Sequence, residues 1–439
     1  MATNESKKRK LQKKQAALRL VVLAAILVCL NMIAARFHKG LDLTKDERFT
    51  LSEPTKRILR DMDDVAVITV YLEGKFPAGF QKLKESTRER LQSFQDVAGS
   101  NIKFQFKDPF EGKEDEERAK VYQVLAEKGI FAVNLQVQGE EEGYSEKFVF
   151  PWALVQYKGK ETPVKLLENK TGMAPLENLN FSESLLEYKF ASAIHRVKLP
   201  TKPEIAYMMG HDEPLGLNTF DMLNTLTEQY KVDTFDLVEN IYIPSYYKAI
   251  IINRPQKAFD DKEKFKIDQY VMNGGHVLWV IDQLHTPMDS LHANGQFIAL
   301  DYGLNLDDQL FKYGVRVNTD LIEEKYCLPM PVIVGQQGDG QPQMQLRPWM
   351  YFPVLIPESG HPIVKNLDGI ASLYASTIDT IANPEIQKTI LLQSTQYSRK
   401  SNAPVRISLG MLQYPLDQLF NEPKKQLPVA VLLEGEFNS

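Results

Sequence analysis

Apolar and polar positions along this chain fall into four patterns, and the first is a single unbroken apolar run, LVVLAAILVCLNMIAA, from Leu20 to Ala35. At a helical rise of 1.5 Å per residue it covers roughly 24 Å, a little short of a hydrocarbon core of about 30 Å. Snorkelling Arg19 and Arg36 close the gap. Lys7, Lys8, Arg9, Lys10, Lys13, Lys14 and Arg19 precede the run and only Arg36, Lys39 and Lys45 follow it, so the positive-inside rule keeps the N-terminus cytoplasmic and exports the rest. A cleaved signal peptide begins in the same way, but cutting after Ala35 or Ala34 would put Ile33 or Met32 at the minus-three position, where a small residue is required. The expectation is a basic leader over 1–17 and a retained membrane helix over 18–37, with Asn31, the polar residue at depth, facing a partner helix.

The second pattern alternates strands with helices from 42 to 168. Ser52 and Pro54 open a helix, one as cap and one in the first turn. Val65 to Leu72 is apolar on both faces, as a central strand is. Phe80, Leu83, Thr87, Leu91 and Phe94 mark one face of a helix ending near Gly99, and Ile102, Phe104 and Phe106 alternate with polar residues as a half-wet strand does. A helix through Val121, Tyr122 and Leu125 stops at Gly129, and strands follow at 131–137, 147–157 and 162–167. That order looks like a thioredoxin-type α/β domain. It contains no cysteine, which excludes redox catalysis there and leaves a scaffold or docking surface.

The third pattern is an amphipathic helix. Glu168 to Asn180 is polar and broken by Gly172 and Pro175, as a linker is. Beyond it Leu186, Phe190, Ala193, Ile194 and Val197 form one stripe, and Ser184 with Glu187 has capping-box spacing. Linker and helix together occupy 169–200, with His195 at the stripe's boundary.

From 201 to 325 strands again alternate with helices: strand Glu204 to Met209, the loop GHDEPLG, helix Thr219 to Tyr230, strand Val232 to Leu237, strand Ala249 to Asn253, helix Asp260 to Met272 and strand His276 to Ile281. Such alternation predicts a doubly wound, mostly parallel sheet, whose ligands favour loops at the strands' carboxyl ends. Those loops carry the candidate binding residues His211, Asp212, Glu213, Arg254, Asp282 and His285. The module resembles class I glutamine-amidotransferase domains in strand order, a flavodoxin-like arrangement, but Asn253-Arg254-Pro255 stands where their catalytic cysteine would be. From 326 to 439 the pattern turns β-rich, with a glycine-rich hairpin in VIVGQQGDGQPQMQL and strands in KTILLQS, VRISLG and VAVLLEG. Trp349, Tyr351 and Phe352 are read as a core plug, with stacking on a sugar or peptide as the alternative.

Composition narrows the chemistry. With 439 residues, 43% hydrophobic and 25% charged, the chain is ordinary globular protein with room for two or three domains. A net charge of -5 despite the basic leader argues against nucleic-acid binding. Cys29 lies in the membrane run and Cys327 far from it, so there is no disulfide framework. With no CxxC and no His-rich spacing no metal site is expected, and the absence of GxxxxGK[ST] and GxSxG means no ATP hydrolysis and no nucleophile elbow in this polypeptide. No catalytic residue and no cofactor are assigned.

The passage SLLEYKFASAIHRVKLPTKPEIAYMMGHDEP, the segments FKIDQYVMNGGHVLWVID and PVIVGQQGDGQPQMQLRPWMYFPVLIP, and LLQSTQYSR with PVAVLLEGEFNS together resemble the gliding-associated ABC transporter auxiliary family, GldG, of Bacteroidetes-type bacteria. The resemblance implies a non-enzymatic inner-membrane protein with its bulk in the periplasm, partnered with an ABC permease, a separate ATPase, inner-membrane lipid and a periplasmic protein. Members of that family continue past the equivalent of EGEFNS to a second membrane helix, so it also implies a truncated chain. Two other readings follow from the residues: a periplasmic component binding a glycan or peptide at the strand-end loops, and a degenerate metal-dependent hydrolase.

Overall fold

The computed structural model describes residues 50–439 apart from 75, 139–143, 171, 337–341, 358, 359 and 366. The basic leader, the apolar run with Asn31, and Cys29 lie outside the described residues. Among the described residues no helix is long and apolar enough to cross a membrane.

The first part is a mixed α/β layer. Ser52 caps helix α1 (Glu53–Arg60), its Oγ accepting the Thr55 N–H at 3.5 Å, with Pro54 in the first turn where no N–H is needed. The apolar run after it forms β1 (Ala66–Val70), with Ala66, Ile68 and Val70 fully buried. Helix α2 (Ala78–Ala98) stops where Gly99 adopts φ 62°, and β2 (Ile102–Phe106) returns parallel to β1. Helix α3 (Asp115–Glu127) leads to a separate hairpin, β3 (Val133–Gln138) with β4 (Tyr144–Val149). Strands β5 (Trp152–Tyr157) and β6 (Lys160–Lys165) then complete a sheet of order β2-β1-β5-β6. The strand expected over 147–157 is thus two strands, divided at Phe150-Pro151, because Pro151 has no N–H to continue a ladder.

Two further elements depart from expectation. The polar stretch before Asn180 is not all linker, since helix α4 (Pro175–Ser184) occupies its second half, with Glu177 reaching back to the Ala174 N–H at 3.1 Å. Helix α5 (Leu186–Lys198) has no capping box at Ser184, whose hydroxyl donates to the Phe181 carbonyl at 2.7 Å. Glu187 points elsewhere. It accepts the Ser52 N–H at 2.7 Å and faces Arg90 at 3.5 Å, tying α5 to the start of α1 and to α2. The predicted stripe is the buried face of α5: Leu186, Phe190, Ile194 and Val197 pack with β1, Leu83 and Phe94, at about 1.5–3 kcal/mol per side chain.

The second α/β layer is fully parallel. Its strands are β7 (Glu204–Met209), β8 (Lys231–Asp236), β9 (Tyr247–Asn253) and β10 (His276–Val280), with helix α6 (Leu217–Thr227) before β8 and α7 (Asp261–Met272) before β10. The sheet order is β10-β9-β7-β8. Alternate residues divide between its faces. Ala206, Met208, Ile250 and Ile252 meet Ile267 and Tyr270 of α7, while Ile205, Tyr207 and Ile251 meet Met222, Leu223 and Leu226 of α6. Helices therefore cover both faces, and strand order reverses between β7 and β9.

The remainder is β-rich. Strand β11 (Leu284–His285), helix α8 (Met288–Asn294) and β12 (Gln296–Asp301) are followed by α9 (Asp307–Lys312), β13 (Val315–Val317) and β14 (Asp320–Glu324). A long hairpin comes next, β15 (Cys327–Gln336) with β16 (Pro342–Pro357), and then β17 (Ile370–Ala371), β18 (Ile378–Thr380), β19 (Ile386–Gln393), β20 (Ser398–Asn402), β21 (Val405–Ser408) and β22 (Pro428–Gly435). Pairing runs backward along the chain: β12 with β21, β13 with β18, β14 with β20 and β19 with β22. Trp349, Tyr351 and Phe352 are buried in this core beside Tyr374, which removes the stacking role considered for them.

Candidate functional site

The loops at the carboxyl ends of β7 and β9 meet where the strand order reverses, the place a doubly wound sheet offers to ligands. Two backbone positions there are held with positive φ without being glycine, Asp212 at 59° and Arg254 at 52°. Gly210, at φ 126°, opens the first loop. A Cβ there would lie 2.8 Å from Val238 Cγ2.

The six candidate residues divide into two groups rather than converging on one point. In the first, the His211 ring is stacked on Phe259 at 3.7 Å and 11° and is 2% exposed. The His211 backbone N–H donates to Glu213 Oε2 at 2.7 Å, and the ring Nε2 lies 3.1 Å from Glu263 Oε2. That same Glu263 oxygen accepts the Asp260 N–H at 2.7 Å, while Asp260 Oδ1 accepts the Glu263 N–H at 2.8 Å, closing the capping box of α7. His211 Nδ1 faces Glu213 Oε1 at 3.7 Å, too far for a hydrogen bond. Burial alone pushes the His211 imidazole down, but the Glu213 and Glu263 carboxylates outweigh it and hold the ring above its ordinary value of 6.5.

In the second group, Arg254 Nε is 2.6 Å from Asp282 Oδ2, and the Arg254 N–H donates to the Val280 carbonyl at 2.7 Å. Tyr302, whose phenol is pushed up chiefly by burial, lies close enough to feel both charges. His285 meets the Tyr302 ring edge-on at 5.3 Å. Asp212 belongs to neither group, since its carboxylate pairs with Lys257 at 2.9 Å on the exposed side. The loops are laced together by Gln256, whose N–H donates to the His211 carbonyl at 2.8 Å and whose Nε2 donates to the Asp212 carbonyl at 3.0 Å.

Chemically, the first group is a buried imidazole between two carboxylates. It can hold a proton, but its ring nitrogens face carboxylates only, and one of those is committed to a helix cap. Among the described residues no group of three or more His, Cys, Asp or Glu could hold a metal ion. Burial pushes the Cys327 thiol up to about 11, which keeps it protonated near neutral pH. Clefts among the described residues lie elsewhere. One, of about 480 Å³, runs between α1, α5 and the segment carrying Pro362, Ile363 and Leu367, and is lined by Ile58, Tyr188 and His195. Another, of about 680 Å³, lies at the amino ends of β9 and β10, beside Tyr242, Lys248 and His276. Neither is lined by any of the six candidates.

Phe259 and Glu263 were not candidates, although the Asp260–Glu263 spacing is a capping box readable in sequence. A buried acidic strand also escaped notice. On β14, Asp320 holds the Thr377 N–H at 2.8 Å, Glu323 holds Arg399 at 2.5 Å and Glu324 holds the Thr395 N–H at 2.8 Å. All three are paired within the fold, which makes them architecture rather than a site.

The fold and its strand-end groups define an α/β module extended by a β-rich half. The chain belongs to the ABC-type uncharacterized transport system family, whose profile matches residues 202–439, more than half of its length. A domain family of unknown function matches residues 45–156. No curated protein matches the chain. Among solved structures it is similar to the mmIFT52 N-terminal domain, at 15% identity over 43% of this chain and 72% of that one, with a TM-score of 0.29, a likeness too low to carry an argument.

Proposed function

We propose that the chain is a membrane-anchored, periplasmic, non-catalytic auxiliary subunit of an ABC-type transporter of the GldG kind, linked to gliding motility or associated secretion. The observation that carries the reading is the family match over residues 202–439. The apolar run from Leu20 to Ala35 and the basic residues before it support the anchor and its orientation. The first α/β layer acts as a thioredoxin-like scaffold and the second as an amidotransferase-like module without its nucleophile. A non-catalytic role is favoured because His211 and Glu213 are buried and the Arg254 guanidinium is held by Asp282. A permease and a separate ATPase are the partners, and the ATPase supplies the hydrolysis.

The test is purification of the full-length protein from native membranes in mild detergent, with mass spectrometry of what accompanies it. A second copy carries an unrelated anchor in place of Leu20 to Ala35. A permease and an ATPase retained only with the native run support the reading and make the membrane run one of the contacts. Recovery of neither overturns it.

A further inference from the structure

Strands β15 and β16 leave the core as a two-stranded arm. Met330 and Val332 at its base are buried, whereas residues 342–348 are all exposed. Pro329 stands opposite Pro348, Pro331 opposite Leu346, and Ile333 opposite Met344. Opposed residues share a face, so these six side chains form one side of the ribbon. All six are apolar and exposed, with Ile333 at 61%, Met344 at 61% and Leu346 at 65%. The other side carries Met330 and Val332, which are buried, and Gln345 and Arg347, which are exposed. Its exposed residues are thus apolar on one side and polar on the other.

Prolines interrupt both of its edges as templates for strand addition. Pro329 and Pro348 both lack an N–H, which makes theirs a non-hydrogen-bonded pair, and the positions two residues along share its phase. Outward-directed backbone groups therefore fall at Pro329, Pro331 and Ile333 on one edge and at Pro342, Met344, Leu346 and Pro348 on the other, and the prolines among them interrupt edge pairing. The exposed side-chain face is then the better surface for a partner. Three cross-strand pairs cover a patch on the order of 200 Å², against about 800 Å² per partner in a stable interface. Flat stacking on a second copy buries too little, so the fitting surface is concave. A lipid surface is recognised by basic residues flanking an apolar face, yet over 329–336 and 342–348 the single charged residue is Arg347, on the opposite side.

We propose that this arm is a docking element that inserts its Pro329–Ile333–Met344–Leu346–Pro348 face into an uncharged apolar groove of a membrane-spanning subunit of the same transport system. The inference rests on the transporter-subunit reading and adds the place of contact. A photo-crosslinking benzoylphenylalanine is placed at Ile333 of the full chain in its native membranes, and the irradiated adduct is identified by mass spectrometry. An adduct with the permease supports the proposal. An adduct with lipid, an adduct with a second copy, or no protein adduct overturns it. In parallel, Ile333→Glu and Leu346→Glu are expected to lower permease recovery at least about tenfold while Gln345→Glu on the polar side does not. If the native chain retains the permease and the two glutamate variants retain it equally, the arm is not the contact and the function stands. If the native chain retains no transporter subunit, both fall. Thermal melting separates misfolding from lost docking, and the crosslink at Ile333, which adds no charge, decides the matter if either glutamate variant unfolds.

Discussion

Nε2 of His211 stands 3.1 Å from Oε2 of Glu263, 52 residues away in sequence, and that same oxygen accepts the N–H of Asp260. The contact fastens the loop after β7 to the first turn of α7. Because the folded protein holds His211 above its ordinary value of 6.5, the folded state binds the proton more tightly than the unfolded chain. Its stabilising contribution is complete below pH 6.5 and is lost as pH rises through the raised folded value.

Urea denaturation across pH 5.5 to 9 therefore should show stability declining on the alkaline side, and His211→Gln should flatten that decline. At acid pH the variant is expected to lose about 1–3 kcal/mol, the cost of leaving buried carboxylates without their charged partner. An unchanged pH profile in the variant would assign the slope to another group.

Arg254 tests whether backbone strain or its ion pair matters more. The pair with Asp282 is partly exposed and is worth about 0.2–1 kcal/mol. Both Arg254→Gly and Arg254→Ala remove it, but only glycine relieves the φ of 52°. The glycine variant should be more stable than the alanine variant by about 1 kcal/mol in urea denaturation. Equal stabilities would mean that the loop pays nothing for its conformation.

Trp349 is fully buried against Tyr351, and its indole N–H donates to the Tyr374 hydroxyl at 3.3 Å. Trp349→Ala should cost about 3–5 kcal/mol, read by the same denaturation. A loss below about 1 kcal/mol would indicate a side chain outside the core.

Glu187 joins three helices through Ser52 and Arg90. Replacing it with alanine should cost about 3 kcal/mol, because a buried ion pair loses one member. Glu187→Gln keeps an acceptor for the Ser52 N–H and should lose visibly less. A thermal melt of the two variants separates the hydrogen bond from the charge.

What was legible in the sequence was periodicity. The doubly apolar strand at Val65 to Leu72 and the stripe from Leu186 to Val197 announce themselves because burial on both sides, or on one side of a 3.6-residue turn, leaves a local mark. The partners of His211 leave none. Glu263 reaches it only because α7 crosses the sheet face, and Phe259 only because the loop before α7 folds under the ring. The helix break at Leu185 was hidden for a related reason: Glu187 matched a local capping pattern, while its carboxylate was claimed by Ser52, 135 residues earlier. Sequence placed Arg254 and Asp282 at the same end of the sheet, but the 2.6 Å contact between them depends on β9 and β10 being neighbours.

The backward pairing of the β-rich half bears on how this chain can have changed over evolutionary time. Val431 and Leu433, on the last strand, pack against the same core as Ile250, Ile252 and Ile267 of the parallel layer, and so does Ile378. A recombination breakpoint between the parallel layer and β22 would bring unmatched side chains onto that core. Substitutions on β22 should therefore have been accepted in step with those on β9 and α7, and the two halves should have been inherited as one unit.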